Sequence, residues 1–134
     1  MDAARPSGPA GRAVFVYGTL RRGAANDINR LAPPPRFLGA ARIRGTLYDL
    51  GAYPGLLLGG EGWVQGEVYL VTPELEGQLD VIEEVAPVPS GEYQRRFIAL
   101  EVLGRRLRCL VYAIDPARVQ GRAVITSGDW SRRR

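Results

Sequence analysis

Only one segment of this sequence has the pattern of an amphipathic helix, and this limits the possible folds more than any other feature. The segment is residues 73–84, where Thr72 can cap the first turn and Pro73 fits the first helical position. Its apolar stripe has spacings of four and three and consists of Leu75, Leu79 and Ile82. The other patterned segments are apolar or alternating stretches bounded by glycine and proline, which is typical of strands.

Six segments have the composition of strands. They are residues 13–17, 37–50, 56–58, 63–71, 92–103 and 106–114, of which the last two are joined as a hairpin at Gly104. Residues 26–31 have room for a single helical turn before the prolines that follow them. Many strands, few helices and glycine-rich connections predict an α+β domain whose sheet is strongly curved or closed.

The length of the chain favours one domain, because 134 residues are enough for a single core and too few for two. We predict a disordered N-terminal tail over residues 1–12, a folded domain over residues 13–130 and a basic C-terminal tail over residues 131–134. The sequence has no apolar run of membrane-spanning length and no apolar stretch at its N-terminus. We therefore expect no membrane span, no secretory signal and a cytoplasmic location.

Two absences restrict the chemistry that this chain can perform. The sequence contains no histidine, and all 18 of its basic residues are arginine. This excludes Ser-His and Cys-His nucleophile pairs, lysine Schiff bases and the P-loop lysine, and it removes the commonest zinc ligand. If the chain is an enzyme, a carboxylate or a tyrosine must move the proton.

The net charge of +4 raises the alternative of nucleic-acid binding. Much of the excess charge lies near the chain ends, in Arg5, Arg12 and residues 132–134, as expected of solvated tails. The sequence carries no recognisable RNA-binding signature. Both observations argue against nucleic acid as the main partner.

The first candidate site follows the first predicted strand and reads Tyr17-Gly18-Thr19-Leu20. The glycine allows the backbone to turn sharply and to approach a ligand closely. Successive free N–H groups at such a turn can hold an anion. The structural alternative is an ordinary tight turn after a core strand.

The second candidate is Glu83, near the end of the predicted helix. At about 100° per residue, Glu83 lies roughly 40° from Leu79, at the border of the apolar stripe, whereas Glu84 points away from it. A half-buried carboxylate loses hydration, which raises its pKa and makes it a better base. The alternative is a structural ion pair between Glu83 and an arginine.

The third candidate is the pair of Tyr93 and Arg95, at the start of the strand that follows the helix. Alternate residues of a strand face the same side of the sheet, so the two side chains are neighbours. They could orient a carboxylate-bearing substrate or the glutamate itself. The alternative is an amphipathic strand edge with an arginine that extends to solvent.

These three fragments, in this order, resemble the gamma-glutamylcyclotransferase family and its small bacterial members. The family pattern has Tyr-Gly-(Ser/Thr)-Leu after the first strand, Leu-Asp-x-x-Glu-Gly at a helix end and Tyr-x-Arg at the start of the next strand. Here the helix-end motif is Leu79-Asp80-Val81-Ile82-Glu83, and Glu84 stands in place of the glycine. Tyr53-Pro54-Gly55 and Ser127-Gly128-Asp129-Trp130 also look like family features.

The resemblance implies a small closed β-barrel with flanking short helices and a cavity at one end. It also implies that a γ-glutamyl amine or peptide is cyclised to 5-oxoproline, with no metal and no cofactor. By the same resemblance, Glu83 is the general acid and base, and the loop of Tyr17, Gly18, Thr19 and Leu20 binds the substrate. A non-catalytic module that binds a small ligand on the same fold is the alternative. The leaving amine and the oligomeric state are left open.

Overall fold

The computed structural model describes residues 11–133. Residues 1–10 of the predicted N-terminal tail therefore lie outside the described residues. The strands are β1 (Arg12–Val16), β2 (Arg36–Asp49), β3 (Pro54–Val71), β4 (Tyr93–Val102), β5 (Arg105–Ile114) and β6 (Ala123–Val124). The helix α1 spans Pro73–Ile82, and single 3₁₀ turns are formed by Ile28–Arg30, Pro116–Val119 and Trp130–Arg132.

The six strands form one mixed sheet in the order β4-β5-β1-β3-β2-β6. Only β1 and β5 are parallel, with Val14 opposite Leu110, and the other neighbouring strands are antiparallel. Strands β2 and β4 are not hydrogen-bonded neighbours, yet they contact each other, which shows that the sheet curls round. The α+β prediction with a strongly curved sheet and short helices is confirmed, and the sheet is a mixed, curled half-barrel rather than a closed one.

Strand β3 differs from the prediction, because the segments predicted as two strands are one continuous strand. The interruption in the sequence pattern, residues 59–62, is rich in glycine, and Gly59 and Gly60 have φ angles of 93° and 85°. Glycine adopts such left-handed angles without steric cost, so the strand changes direction there without ending. The pairing with β2 shifts register at the same place, between Arg44 and Gly45.

Apolar residues are buried on both faces of the central strand β1, because successive side chains point to opposite sides. Phe15 belongs to a cluster with residues of β2 and β4, inside the curl. Val14 and Val16 belong to a second cluster that lies under α1 and includes Leu75 and Leu79. Helix α1 therefore covers the outer face of the sheet, with its C-terminal end near the point where β1 ends.

The C-terminal segment is packed against the domain. Ser131 and Arg132 continue the 3₁₀ turn that begins at Trp130. The guanidinium carbon of Arg133 lies 4.0 Å from the centre of the Trp130 ring. Within the described residues, the segment predicted as a basic tail is therefore anchored by its own cation–π contact.

Candidate active site

A cavity of about 280 Å³ opens where β1 ends, between the last turn of α1 and the first residues of β3 and β4. Its lining comes from separate parts of the chain and includes Tyr17, Gly18, Thr19, Leu20, Asn26, Tyr53, Glu83, Glu84, Glu92, Tyr93 and Tyr112. The structure thus brings the predicted loop, the predicted glutamate and the predicted tyrosine of β4 into one cavity. Arg95 does not line it.

The loop that follows β1 carries backbone N–H groups with no protein acceptor. In the described part of the chain, no hydrogen bond uses the N–H groups of Gly18, Thr19 or Leu20. The carbonyl groups of the same three residues each accept an N–H group from later in the loop, at 2.8–3.0 Å. The loop is therefore fixed through its carbonyl oxygens, while its N–H groups remain available to an anionic ligand.

Close packing explains the glycine in this loop. A Cβ atom on Gly18 would lie 2.5 Å from Cγ and 2.8 Å from Cδ of Pro54. The carbonyl oxygen of Pro54 accepts a 2.6 Å hydrogen bond from the hydroxyl of Tyr93. Next to Gly18, the Thr19 hydroxyl accepts a 3.2 Å hydrogen bond from the Asn26 side chain, so its own hydrogen is free for another acceptor.

Glu67 on β3 holds the loop in place, and the sequence patterns did not indicate it. Its carboxylate accepts hydrogen bonds from the Nε of Arg21 at 3.1 Å, the N–H of Arg22 at 3.0 Å and the hydroxyl of Tyr69 at 2.9 Å. The same Arg21 guanidinium donates to Asp129 at 2.8 Å. The loop is thereby linked to the sheet and to the C-terminal segment.

The end of α1 fixes the direction of Glu83, which is the C-cap residue. The N–H of Glu84 bonds to the carbonyl of Val81 at 3.0 Å, and the N–H of Val85 bonds to that of Asp80 at 2.9 Å. These two bonds define a Schellman motif, in which the residue after the cap takes a left-handed conformation. Glu84 has a φ angle of 59°, so it occupies the conformation that glycine provides in the family pattern.

The carboxyl group of Glu83 is largely enclosed by protein, although the residue as a whole is half-buried. Its pKa is raised to about 7, mainly by burial, with smaller contributions in the same direction from the negative charges of Glu92 and Glu84. No arginine among residues 11–133 forms an ion pair with it. A carboxylate with a pKa near neutrality can both accept and return a proton.

Three buried tyrosines form rigid walls beside Glu83. Tyr17 donates to the backbone carbonyl of Tyr112, Tyr93 to that of Pro54, and Tyr112 to the carboxylate of Asp80, each at 2.6 Å. Burial raises the pKa of all three hydroxyls. Because these hydroxyls are already committed as donors, they stay neutral and can offer a ligand only their acceptor lone pairs.

Arg95 is used differently from the prediction that pairs it with Tyr93. Its guanidinium donates to Asp80 and to Glu76, at 2.6 Å in each case. Both acids lie on α1. Their carboxylates bind the Arg95 guanidinium outside the cavity, so this side chain is not part of the lining. Asp80 also accepts the hydroxyl of Tyr112. Arg95 therefore supports a wall of the cavity from behind.

Several lining residues were not predicted from the sequence. The hydroxyl of Tyr53 donates to Glu92 at 2.6 Å, and this hydrogen bond raises the pKa of Tyr53. Tyr112 stands opposite Arg95 in the antiparallel pairing of β4 and β5. The hairpin predicted at Gly104 could have indicated Tyr112, because the register of that hairpin places Tyr112 beside Arg95.

The described residues contain no group of three or more His, Cys, Asp or Glu side chains placed to hold a metal ion. Among residues 11–133 there is also no helix with the length and hydropathy needed to cross a membrane.

Comparison with known proteins identifies relatives along nearly the whole domain. Residues 14–132 match the family described as gamma-glutamyl cyclotransferase, AIG2-like. A Vibrio cholerae protein provisionally named a gamma-glutamylcyclotransferase is 41% identical over 122 residues, which cover 90% of this chain and 96% of that protein. Among solved structures, an AIG2-like protein of Mus musculus superposes with a TM-score of 0.68 at 31% identity, over 82% of this chain and 83% of that one.

The solution structure of the protein YtfP from Escherichia coli is a second structural relative. It has a TM-score of 0.61 at 34% identity, over 88% of this chain and 95% of that one. The family match includes every residue of the cavity lining described above.

Proposed function

The chain belongs to the gamma-glutamyl cyclotransferase, AIG2-like family, and from this membership we propose that it converts a γ-glutamyl amine or peptide into 5-oxoproline and the free amine. Family membership supports an enzyme with gamma-glutamyl cyclotransferase activity in general. The product, the roles of individual residues and a mechanism without a metal ion are our proposal. One observation carries it: Glu83, with its pKa raised to about 7, lies in the same cavity as the unused N–H groups after β1.

The proposed reaction begins with proton transfer from the α-ammonium group of the substrate to the carboxylate of Glu83. The free amine then attacks the γ-carbonyl carbon of the same molecule, and a carbon–nitrogen bond forms that closes a five-membered ring. The bond between the γ-carbon and the leaving nitrogen breaks as Glu83 returns its proton to that nitrogen, and the ring nitrogen gives its second proton to the departing amine. The products are 5-oxoproline and the amine, and the carboxylate is regenerated.

The loop after β1 supplies the anion site in this proposal. The N–H groups of Gly18, Thr19 and Leu20 can bind the α-carboxylate of the substrate or the oxyanion that develops on the γ-carbonyl. The hydroxyl hydrogen of Thr19 is a further donor. The Tyr17 and Tyr93 rings bound the space on the opposite side from solvent.

Most of the expected rate enhancement comes from holding the substrate in a folded conformation. Nucleophile and electrophile belong to one molecule, and well-oriented intramolecular reactions gain up to about 7–11 kcal/mol. The tyrosine hydroxyls are fixed by hydrogen bonds to the backbone and to Asp80, so the cavity is preorganised. The protein then needs to supply only a base and an anion site.

The test is the isosteric substitution Glu83→Gln, assayed for 5-oxoproline release across a panel of γ-glutamyl amines and peptides. We expect kcat to fall by about 10²–10⁴-fold, because a glutamine side chain at position 83 cannot accept the proton. Glu101→Gln, which removes an exposed carboxylate of β4 outside the cavity, is the matched control. Circular dichroism verifies that both variants fold.

Two results would contradict the proposal. One is full activity of Glu83→Gln, which would assign the proton transfer to another group. The other is the absence of 5-oxoproline from every compound of the panel. Intact γ-glutamyl compounds that bind and persist in the native protein would instead indicate a binding module.

A further inference from the structure

The cavity is acidic in a chain whose net charge is positive. Glu83, Glu84 and Glu92 line it, whereas none of the arginines among residues 11–133 does. The guanidinium of Arg118 acts electrostatically on Tyr53 at the cavity, but it donates a hydrogen bond to the carbonyl of Ser90 and does not belong to the lining. Three carboxylates therefore line this space, and no arginine of the described residues is in the lining.

The three acids occupy different depths. The carboxyl group of Glu83 is enclosed by protein, Glu92 is half-buried, and Glu84 is exposed. Glu92 is held by the hydroxyl of Tyr53 at 2.6 Å, and the Schellman motif at the end of α1 fixes the backbone of Glu84. Glu84 and Glu92 thus form an ordered acidic rim on the solvent side of Glu83, and we call this pair the rim.

Two observations independent of the rim indicate that a ligand enters here. The N–H groups of Gly18, Thr19 and Leu20 have no acceptor in the described part of the chain. The enclosed carboxyl group of Glu83 receives no hydrogen bond from the described residues. Buried polar groups in native proteins nearly always have a hydrogen-bond partner, so we expect a bound molecule to supply the partners that these groups lack.

This inference rests on the proposed function and refines its substrate. A γ-glutamyl group carries one α-ammonium and one α-carboxylate, so it is neutral overall. The loop N–H groups can take its carboxylate, and Glu83 can take its ammonium. The rim then remains as a surplus of negative charge on the path by which the leaving amine extends toward solvent.

We propose that the rim of Glu84 and Glu92 selects substrates whose leaving amine carries a second positive charge, such as a diamine or a polyamine-like group. A cleft lined with one sign of charge raises the local concentration of ligands of the opposite sign. It disfavours leaving groups that carry a carboxylate, because like charges would face each other. The cation in this proposal is part of the leaving amine of the substrate.

The experiment compares three γ-glutamyl amides that differ only at the far end of the leaving amine. Each has a tetramethylene chain, which ends in an ammonium, a methyl or a carboxylate group. We expect kcat/KM to decrease in that order, with a ratio on the order of tenfold between the first and the last. Raising the ionic strength reduces the ratio, because the rim is accessible to salt.

The double substitution E84Q/E92Q tests whether the rim causes this order. We expect the ratio of kcat/KM between the ammonium and carboxylate compounds to fall close to one. The two rim charges also raise the pKa of Glu83, so the variant changes the rate for all three compounds. The ratio between compounds cancels that common effect. Glu101→Gln removes one exposed carboxylate elsewhere and retains the native ratio.

Equal kcat/KM values for the three compounds, or an unchanged order in the E84Q/E92Q variant, would overturn the inference. Dissociation constants measured by calorimetry on Glu83→Gln provide the same comparison without turnover. The absence of 5-oxoproline from all three compounds would contradict the proposed function. In that case the order of the dissociation constants still decides whether the rim selects cations.

Discussion

The carboxyl group of Glu83 is placed where its ionised form is poorly solvated, and this has a consequence for stability. Its pKa is about 7 in the folded protein, against an ordinary value of 4.5. Between these two values the unfolded chain has released a proton that the folded chain still holds. The free energy of unfolding therefore falls as the pH rises through this window, and the loss is complete above about pH 7.

We predict that Glu83→Gln stabilises the protein at pH 8 by about 1–3 kcal/mol and has little effect below about pH 4.5. The reason is that glutamine has no ionised form to desolvate. Urea unfolding of both proteins at pH 4 and pH 8 measures the difference. If the stabilisation were the same at both pH values, the burial of an ionisable carboxyl group would not be its cause.

Helix α1 carries a local conflict at its C-terminal end. Glu84 is held at a φ angle of 59° by the two hydrogen bonds of the Schellman motif. A left-handed conformation costs a non-glycine residue roughly 1–2 kcal/mol. The same residue is part of the acidic rim. The backbone conformation of Glu84 therefore affects stability, whereas its charge affects the cavity.

Glu84→Gly separates these two contributions. We expect it to raise the free energy of unfolding by about 1 kcal/mol relative to Glu84→Ala, because both variants remove the charge and only glycine removes the strain. Chemical denaturation of the two variants measures the difference. Equal stabilities would indicate that the turn after α1 relaxes out of the left-handed region when the side chain is shortened.

At the scale of the whole molecule, the cavity is assembled from segments far apart in the sequence. Arg21 connects the loop after β1 to Glu67 on β3 and to Asp129, which lies 108 residues further along the chain. The side chains of Arg21 and Asp129 are each only 18% exposed. The C-terminal segment therefore helps to fix the loop that lines the cavity.

We predict that Arg21→Gln and Asp129→Asn each raise KM for a γ-glutamyl substrate and change kcat less. Loosening the loop weakens contacts that are present in the ground state and the transition state alike. In a double-mutant cycle on KM, we expect a coupling free energy of about 0.5–3 kcal/mol between the two substitutions. Strictly additive effects on KM would show that the C-terminal segment and the loop act independently.

The sequence by itself determined the local features. The cap, the proline and the apolar spacing of residues 73–84 predicted α1, and the same spacing placed Glu83 at the border of the buried face. Alternation and glycine punctuation predicted the strands and a sheet that is strongly curved or closed. These features depend on residues that are close together in the chain, so they can be predicted from the order of residues alone. The catalytic role of Glu83 and the substrate-binding roles of residues 17–20 remain predictions.

Only the tertiary structure decided which side chains share an environment. The strand pattern predicts that Arg95 and Tyr93 act as a pair. In the structure, Arg95 instead forms ion pairs with Asp80 and Glu76 of α1. Glu92 and Tyr53 are 39 residues apart and meet at the rim of the cavity. Charge pairing and desolvation depend on distances between elements rather than on spacing along one element. For that reason the acidity of the cavity and the raised pKa of Glu83 arise only when the sheet has curled and the helix is in place.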